Sequence, residues 1–292
     1  MYPYAVAFGM SFYDICLVVA VVLALFMADR MGIMRGFSVK LQKVVIIALV
    51  EAIVVGFVGA VLFQAVYNAV ETGKFVIDAG TGMTFYGGLI FGLIGFLAAW
   101  FGFGKVMCKS DEPVKKFGAM ADIAACLVPL AHGIGRIGCF TAGCCHGAPT
   151  DAWYGVTMHT ESGWMKVVPV QLYEALFLIA LSGVLLWLFY KKFGKENKGR
   201  FPLLPIYAIV YGIWRFFIEY ARADDRGASL VPFWSPSQLV AILMMIAGVA
   251  YLLIWDYWKR KSKTPEAAAV KDEPTEEPTD EPTNEDIQTQ AE

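Results

Sequence analysis

The sequence predicts an all-α membrane protein that crosses the bilayer about seven times. Apolar residues make up 58% of the chain, a share that excludes an ordinary soluble domain. The excess lies in runs long enough to cross the hydrocarbon core, which takes about 20 helical residues. Basic residues between these runs alternate in a way that fits seven crossings. The predicted spans are residues 11–29, 43–64, 84–104, 118–136, 172–190, 203–220 and 237–257.

The first three spans contain few polar residues. Asp14 lies near the predicted outer end of span one, where an interfacial carboxylate costs little. In span three, Gly92 and Gly95 have the spacing that lets two membrane helices pack closely. Gly87 and Gly88 begin the same span, and close approach of a lipid is expected there because glycine has no side chain.

Spans four and five carry polar residues that apolar runs rarely contain. Span four is the weakest of the seven predictions, because Asp122, His132 and Arg136 interrupt or flank it. Gln171 and Glu174 open span five. Ionisable groups are expensive inside a membrane, so each of them is a candidate functional residue.

Span six carries four polar residues on one helical face. Tyr211, Arg215, Glu219 and Arg222 recur at intervals of four, four and three residues. At 1.5 Å per residue, Arg215 lies about 18 Å from the predicted cytoplasmic start of the span. A purely structural alternative is that Arg215 and Glu219 neutralise each other.

The basic residues predict the orientation. They are concentrated in residues 30–43, 105–116, 191–200 and 259–263, which alternate with loops that contain few of them. Cytoplasmic loops carry the excess of Lys and Arg, so these four segments are predicted to be cytoplasmic. The amino terminus is then outside and the carboxyl terminus inside.

The last segment, residues 264–292, differs in composition from the membrane domain predicted over residues 1–263. It repeats Glu-Pro-Thr at Glu273–Thr275, Glu277–Thr279 and Glu281–Thr283 and has almost no apolar residues. Such a segment cannot bury enough surface to become ordered. We expect a disordered acidic cytoplasmic tail.

Polar groups from other spans are predicted at the depth that span six reaches near its outer end. His132 and Arg136 lie four residues apart at the outer end of span four, and Tyr86 lies at the outer end of span three. Gln171 and Glu174 begin span five at the same face. This convergence predicts a site at the outer leaflet.

A cysteine-rich loop follows span four. Cys139, Cys144, Cys145 and His146 suggest zinc binding or thiol–disulfide exchange as alternatives. The spacing matches no established zinc pattern, and adjacent cysteines are poor chelators of one metal. A disulfide from Cys139 to Cys144 or Cys145, or free thiols, is the simpler expectation, and neither a metal nor an organic cofactor is expected.

Several segments resemble one family of membrane enzymes. Gly135–Gly143 reads Gly-Arg-Ile-Gly-Cys-Phe-Thr-Ala-Gly and closes with Gly147, and Tyr211–Arg215 is followed by Glu219 and Arg222. Together with Thr81–Leu89, Pro169–Glu174 and Gln238, these segments resemble the prolipoprotein diacylglyceryl transferase family. The resemblance covers residues 10–257, in the same order and with the same number of spans.

The chain departs from the family pattern at four places. Tyr86 stands where the family usually has His, and Cys139 and Ala142 stand where it usually has Asn. The stretch that normally reads Glu-Leu-Trp is Cys144–His146. Phospholipid headgroup binding is therefore better supported than the identity of the group that handles the proton.

The resemblance implies transfer of the diacylglyceryl group of phosphatidylglycerol to the lipobox cysteine of a preprotein, with release of glycerol phosphate. Both substrates would lie at the outer leaflet of a bacterial plasma membrane, and no nucleic acid is expected as a partner. The catalytic candidates are Arg136, Arg215, Tyr86 and Tyr211. The substrate-binding candidates are Gly135, Gly138, Cys139, Gly143, Gly147, Gly87, Gly88, Gln171, Glu174, Glu219 and Arg222.

The roles follow from the chemistry that the reaction needs. Arginine suits a departing phosphate because its planar fork binds two oxygens and stays charged. A thiol nucleophile needs to lose its proton, and His146 and His132 are the outward histidines nearest the motif, so either is a possible base. Glu219 is expected to hold an arginine.

Three other functions remain open from the sequence. A transporter or lipid-binding protein would use the same arginine pocket without chemistry. A family member with a different acceptor would share every motif. A membrane thiol redox protein would use Cys139, Cys144 and Cys145 instead.

Overall fold

The computed structural model describes residues 9–78, 80–160, 163–193, 202–222 and 233–269. Within them, seven helices are long and apolar enough to cross a membrane, α6 with the turn Glu219–Ala221 that follows it. This confirms the predicted all-α, seven-span architecture. The elements are α1 Phe12–Met34, α2 Val39–Thr72, α3 Phe85–Cys108, α4 Glu112–Ala142, β1 Val156–Thr160, β2 Gly163–Val167, α5 Val170–Phe193, α6 Leu203–Ile218 and α7 Pro236–Ala269.

The helices extend beyond the apolar runs that predicted them. Thus α2 continues to Thr72, and α7 continues to Ala269 through the predicted boundary at residue 264. An apolar run marks only the width of the hydrocarbon core, whereas a helix can continue into the interface. Residues 270–292 of the predicted tail lie outside the described residues.

Asp14 forms a helix cap rather than part of a site. Its carboxylate accepts hydrogen bonds from the backbone amide and the hydroxyl of Ser11, at 2.8 and 2.7 Å. The hydroxyl of Ser11 in turn accepts from the amide of Asp14 at 3.3 Å. This capping box starts α1 and satisfies amide groups that have no partner inside the helix. This capping role accounts for Asp14, and its interfacial position favoured such a structural role.

The central helix is α4, the one whose span was hardest to predict. It contacts α1, α3, α5 and α6. A helix with neighbours on several sides can pair its polar side chains with them, so such residues cost little there. The polar residues that weakened the hydropathy signal are thus explained by the central position of α4.

A buried ion pair joins four helices near the start of α4. Arg35 Nη2 lies 3.2 Å from Asp122 Oδ2, and the guanidinium of Arg35 lies 4.7 Å from the ring centroid of Phe189. The other oxygen of Asp122 accepts from the amide of Leu203 at 2.9 Å. Lys116 donates to the carbonyl of Arg35 at 2.7 Å. The pair therefore links the end of α1 and the start of α6 to α4 and α5.

The helices α2 and α3 pack closely through glycines. A Cβ on Gly92 would lie 3.0 Å from the carbonyl oxygen of Ala52, and one on Gly95 would lie 2.9 Å from Val55 Cβ. A Cβ on Gly59 would lie 2.2 Å from Phe91 Cβ. The predicted helix contact at Gly92 and Gly95 is thus confirmed, and its partner is α2.

The antiparallel hairpin β1–β2 lies in the connection between α4 and α5, with Thr157 opposite Lys166 in the register. The preceding strand-like segment pairs Pro149 with Val167 and Gly147 with Arg222. The loop after α4 is therefore joined both to the hairpin and to the end of α6.

The chain divides into two compact units, Met1–Val249 and Ala250–Glu292. The first contains every residue discussed below as part of the site. The second is described as far as Ala269 and consists of the carboxyl-terminal part of α7, in which Asp256 and Arg260 form an exposed ion pair at 2.8 Å.

Candidate active site

A fully buried carboxylate, Glu174 of α5, is the centre of the polar cluster. Its Oε2 lies 2.8 Å from Arg136 Nε of α4 and 3.6 Å from Nη1 of Arg222, which follows α6. Its Oε1 accepts from the Tyr211 hydroxyl at 3.3 Å and lies 3.9 Å from His132 Nε2. Side chains from α4, α6 and the segment after α6 thus converge on one carboxylate of α5.

A second ion pair lies on α6 itself. Arg215 Nη1 is 2.7 Å from Glu219 Oε2, one helical turn away, and both side chains are buried. Ser235 donates from its hydroxyl to Glu219 Oε1 at 2.8 Å. Arg215 Nη2 is also buried, and it has no hydrogen-bond partner among the described residues. The N–H groups of Nη2 point at no described acceptor, and buried donors of this kind favour an anionic ligand.

Tyr86 joins the start of α3 to the start of α7. Its hydroxyl lies 3.2 Å from Ser237 Oγ. Ser237 is two residues after Ser235, which binds the partner of Arg215. Within the described residues, no hydrogen bond joins Tyr86 to an arginine, so Tyr86 reaches the cluster only through α7.

The cluster carries more positive than negative charge. Arg136, Arg215 and Arg222 face the two carboxylates of Glu174 and Glu219. Glu174 and His132 each interact electrostatically with all three arginines. Among the described residues, three arginines thus face two carboxylates, an excess of one positive charge. Such an excess favours an anion, and guanidinium groups match the geometry of phosphate oxygens.

The loop after α4 needs glycine at two positions. Gly143 has φ +77°, and a Cβ there would lie 2.1 Å from the carbonyl oxygen of His159. A Cβ on Gly147 would lie 2.6 Å from the carbonyl oxygen of Ala221. Gln171 donates to the carbonyl of Cys144 at 2.7 Å. The loop is thus held between the hairpin, α5 and the end of α6.

Comparison with known proteins identifies the family. Residues 3–255 match the family model for prolipoprotein diacylglyceryl transferase. The chain belongs to this family. A phosphatidylglycerol–prolipoprotein diacylglyceryl transferase of Finegoldia magna is 32% identical, over 87% of this chain and 94% of its own length. The enzyme of that name from Clostridium tetani is 31% identical, over 83% and 92%. Transferase 2 of Clostridium perfringens is 29% identical, over 83% and 90%.

Most of the polar residues predicted for this family member do lie together. Arg136, Tyr211, Arg222 and His132 surround Glu174, and Glu219 holds an arginine, as expected from its spacing. The sequence did not reveal that Glu174 is the common partner, because it is far from those residues along the chain. The roles of all of these residues in catalysis or binding remain predictions.

The glycines predicted to bind substrate have other contacts. A Cβ on Gly87 would lie 2.5 Å from Phe63 Cβ of α2, and Gly88 faces Ala60 of the same helix. A Cβ on Gly138 would lie 3.0 Å from Tyr13 of α1. Close helix packing is thus a sufficient reason for Gly87 and Gly138, whereas a Cβ on Gly88 would make only ordinary contact at 3.5 Å. A Cβ on Gly135 would have no described atom within 4 Å.

The three clustered cysteines are free thiols and not disulfide-bonded, the second of the two simpler expectations for this loop. The sulfur atoms of Cys139, Cys144 and Cys145 nevertheless lie within 4.8 Å of one another. Adjacent cysteines face one point in this loop, with Cys145 in the left-handed region at φ +59°. Hydrogen bonds with the thiols of Cys139 and Cys144, and the charges of Arg136 and Arg222, lower the pKa of the Cys145 thiol.

The histidines are arranged differently from the prediction. His132 lies in the cluster, whereas His146 Nδ1 is 2.9 Å from the carbonyl oxygen of Gly147. His159 was missed: its backbone touches Gly143, and its ring packs edge-on against Trp164 at 5.5 Å. Only the pairing of β1 with β2 brings His159 to the loop, and no local pattern in the sequence indicates that.

Proposed function

We propose that the chain transfers the diacylglyceryl group of phosphatidylglycerol to the lipobox cysteine of a prolipoprotein and releases glycerol phosphate. Membership of the family and the activity named for the relatives support this reaction. The observation that carries the assignment is the buried cluster of three arginines around Glu174 and Glu219, because guanidinium groups provide what a departing phosphate needs.

The reaction forms a thioether by displacement at carbon. The cysteine sulfur attacks the glycerol carbon that bears the phosphate oxygen, a C–S bond forms, and the C–O bond breaks. The bonding electrons leave with glycerol phosphate. Arg215, through Nη2, and Arg136 hold the phosphate oxygens on which negative charge develops. Preorganised donors of this kind are worth about 3–4 kcal/mol each in a site that excludes water.

His132 is the base that the contacts favour. Its Nε2 faces the carboxylate of Glu174 at 3.9 Å. A neutral ring that carries its proton on this nitrogen keeps Nδ1 free to accept the proton of the attacking thiol. His146 is the alternative base, because its Nδ1 can donate to the carbonyl of Gly147 and leave Nε2 free to accept a proton. Tyr211 then orients Glu174, and Tyr86 braces α3 against α7.

We place the site at the outer leaflet of a bacterial plasma membrane. Arg35 and Lys116, which belong to predicted cytoplasmic segments, meet at the end of α4 opposite to Arg136. The positive-inside rule then puts the arginine cluster outside. Phosphatidylglycerol and an exported preprotein both reach that face, so the bilayer itself delivers both substrates.

The test is a mass-spectrometric transfer assay on the full chain in phosphatidylglycerol micelles with a lipobox peptide. Arg136→Ala and Arg215→Ala are compared with the parent and with Arg30→Ala. Arg30 is an exposed arginine at the other end of α1 from the capping box. We expect the peptide cysteine to gain a diacylglyceryl group with the parent and Arg30→Ala only. No gain with folded parent protein would refute the proposed acceptor, and full activity of both site variants would refute the role of the cluster.

A further inference from the structure

Three cysteine thiols form a cluster that the transfer reaction does not use. We call Cys139, Cys144 and Cys145 the thiol triad. Their sulfur atoms lie within 4.8 Å of one another, and all three residues are partly buried. The other cysteines, Cys16, Cys108 and Cys126, have no part in it. Three soft donor atoms at one point are an arrangement that a single thiophilic ion requires.

The backbone conformation of residues 139–145 brings the three thiols together. Cys139 lies in the last turn of α4, and Gly143, with φ +77°, ends the helix. The amide of Cys144 donates to the carbonyl of Cys139 at 3.2 Å, which brings the chain back over the helix end. Cys145 has φ +59°, a conformation that non-glycine residues rarely adopt. This left-handed residue is what lets two adjacent side chains face the same point.

We propose that the thiol triad binds one soft d¹⁰ metal ion, Cu(I) or Zn(II), through three sulfur ligands. An ion at about 2.3 Å from each sulfur places the sulfurs about 3.8–4.0 Å apart. The observed spread of up to 4.8 Å therefore needs only a small contraction. A disulfide would use two of the thiols and would leave the convergence of the third without a reason.

The charge around the triad suits a negatively charged metal–thiolate complex. Three thiolates around a monovalent or divalent ion leave a net negative charge of two or one. Arg136 and Arg222 are near enough to interact electrostatically with Cys145, and arginine keeps its charge at any relevant pH. The arginines therefore compensate the charge of the complex.

A bound ion would also fix the loop that meets the arginine cluster. Gly147, two residues after the triad, pairs with Arg222, and Gln171 donates to the carbonyl of Cys144 at 2.7 Å. The metal would thus hold this loop against the end of α4, as a crosslink within the wall of the site.

Metal binding is tested directly and without reference to transferase activity. The reduced full chain in detergent is titrated under argon with Cu(I) against a chromophoric competitor, and separately with Zn(II). We expect one equivalent of at least one of these ions, with three sulfur neighbours by X-ray absorption. Cys139→Ser, Cys144→Ser and Cys145→Ser should each weaken binding by about 100-fold or more, since each removes a ligand rather than a supporting group. Cys108→Ser is the matched control and should bind like the parent.

Two results would overturn the proposal. One is the failure of the reduced parent protein to bind either ion at one equivalent. The other is binding that survives all three substitutions, or an absorption spectrum without sulfur neighbours. Because X-ray absorption reports on the parent protein itself, the conclusion does not depend on whether each variant folds.

Discussion

Replacing Glu174 with glutamine tests whether this carboxylate organises the site. Glutamine has the same shape and can still accept from Tyr211, but it carries no charge. In the parent, Glu174 is fully buried and lies 2.8 Å from Arg136 and 3.6 Å from Arg222. The substitution therefore removes the charge that compensates two buried arginines while it preserves the packing.

The expected cost follows from those distances. With an effective dielectric constant of about 20, a unit charge pair at these separations is worth about 5–6 kcal/mol before desolvation is subtracted. Removing one partner of a buried pair costs about 3–5 kcal/mol in practice. For a domain of this size, about 2–4 °C of melting temperature are lost per kcal/mol. We therefore expect Glu174→Gln to melt about 6–20 °C below the parent.

Thermal unfolding in detergent and the transfer assay measure the two effects separately. The control is Asp256→Asn, which breaks an exposed ion pair with Arg260. Exposed pairs contribute less than about 1 kcal/mol, so this variant should melt within about 4 °C of the parent. We also expect Glu174→Gln to lose transfer activity at temperatures where it remains folded. A Glu174→Gln protein that melts and turns over like the parent would refute the central role of the carboxylate.

Three further predictions follow from the contacts. Arg215→Lys keeps the charge but loses the planar fork that reaches Glu219 and the phosphate with different nitrogens. The value of kcat/KM should fall by about 10-fold or more with little change in melting temperature; parental kcat/KM would argue against a phosphate contact through Nη2. Gly143→Ala adds a Cβ that would clash with the carbonyl oxygen of His159, at a residue with φ +77°. Thermal unfolding should show a loss of more than about 2 kcal/mol in the free energy of unfolding. Gly135→Ala, with open space around the added Cβ, should be as stable as the parent. Asp122→Asn should lower the free energy of unfolding by about 3 kcal/mol, because it removes the carboxylate that pairs with the buried Arg35. The KM for phosphatidylglycerol should not change, because this pair lies towards the other end of α4 from Arg136. A changed KM would indicate that the two ends are coupled.

The fold was predictable because its main determinant is local. Apolar runs of spanning length predict the number of membrane helices without any knowledge of their neighbours. The same reasoning misplaced the helix ends. In α2, for example, Asn68 lies beyond the apolar run and donates to the carbonyl of Thr81 at 3.2 Å. That contact depends on how the following loop folds back, which hydropathy does not report.

The site was predictable only where its contacts are local. Arg215 and Glu219 are one helical turn apart, so their pairing follows from the spacing alone. The pairing of Arg136 with Glu174, and of Arg35 with Asp122, joins residues on different helices. Their predicted depth in the membrane indicated that Arg136 and Glu174 belong to one site. It did not indicate that they are partners. The left-handed backbone of Cys145, which lets two adjacent thiols face one point, is likewise not evident from the sequence.

The departures from the family pattern fall at the edge of the cluster and not at its centre. Tyr86 reaches the cluster only through Ser237 at the start of α7, and Cys139 lies one turn beyond Arg136. The centre, Arg136 paired with Glu174, retains the charge that phosphate departure requires. A hydroxyl at position 86 can brace two helices as an imidazole can, but it is a weak base at neutral pH. If Tyr86 does not take the proton of the acceptor thiol, the proposed base is a histidine, and His132 lies 3.9 Å from Glu174 within the cluster.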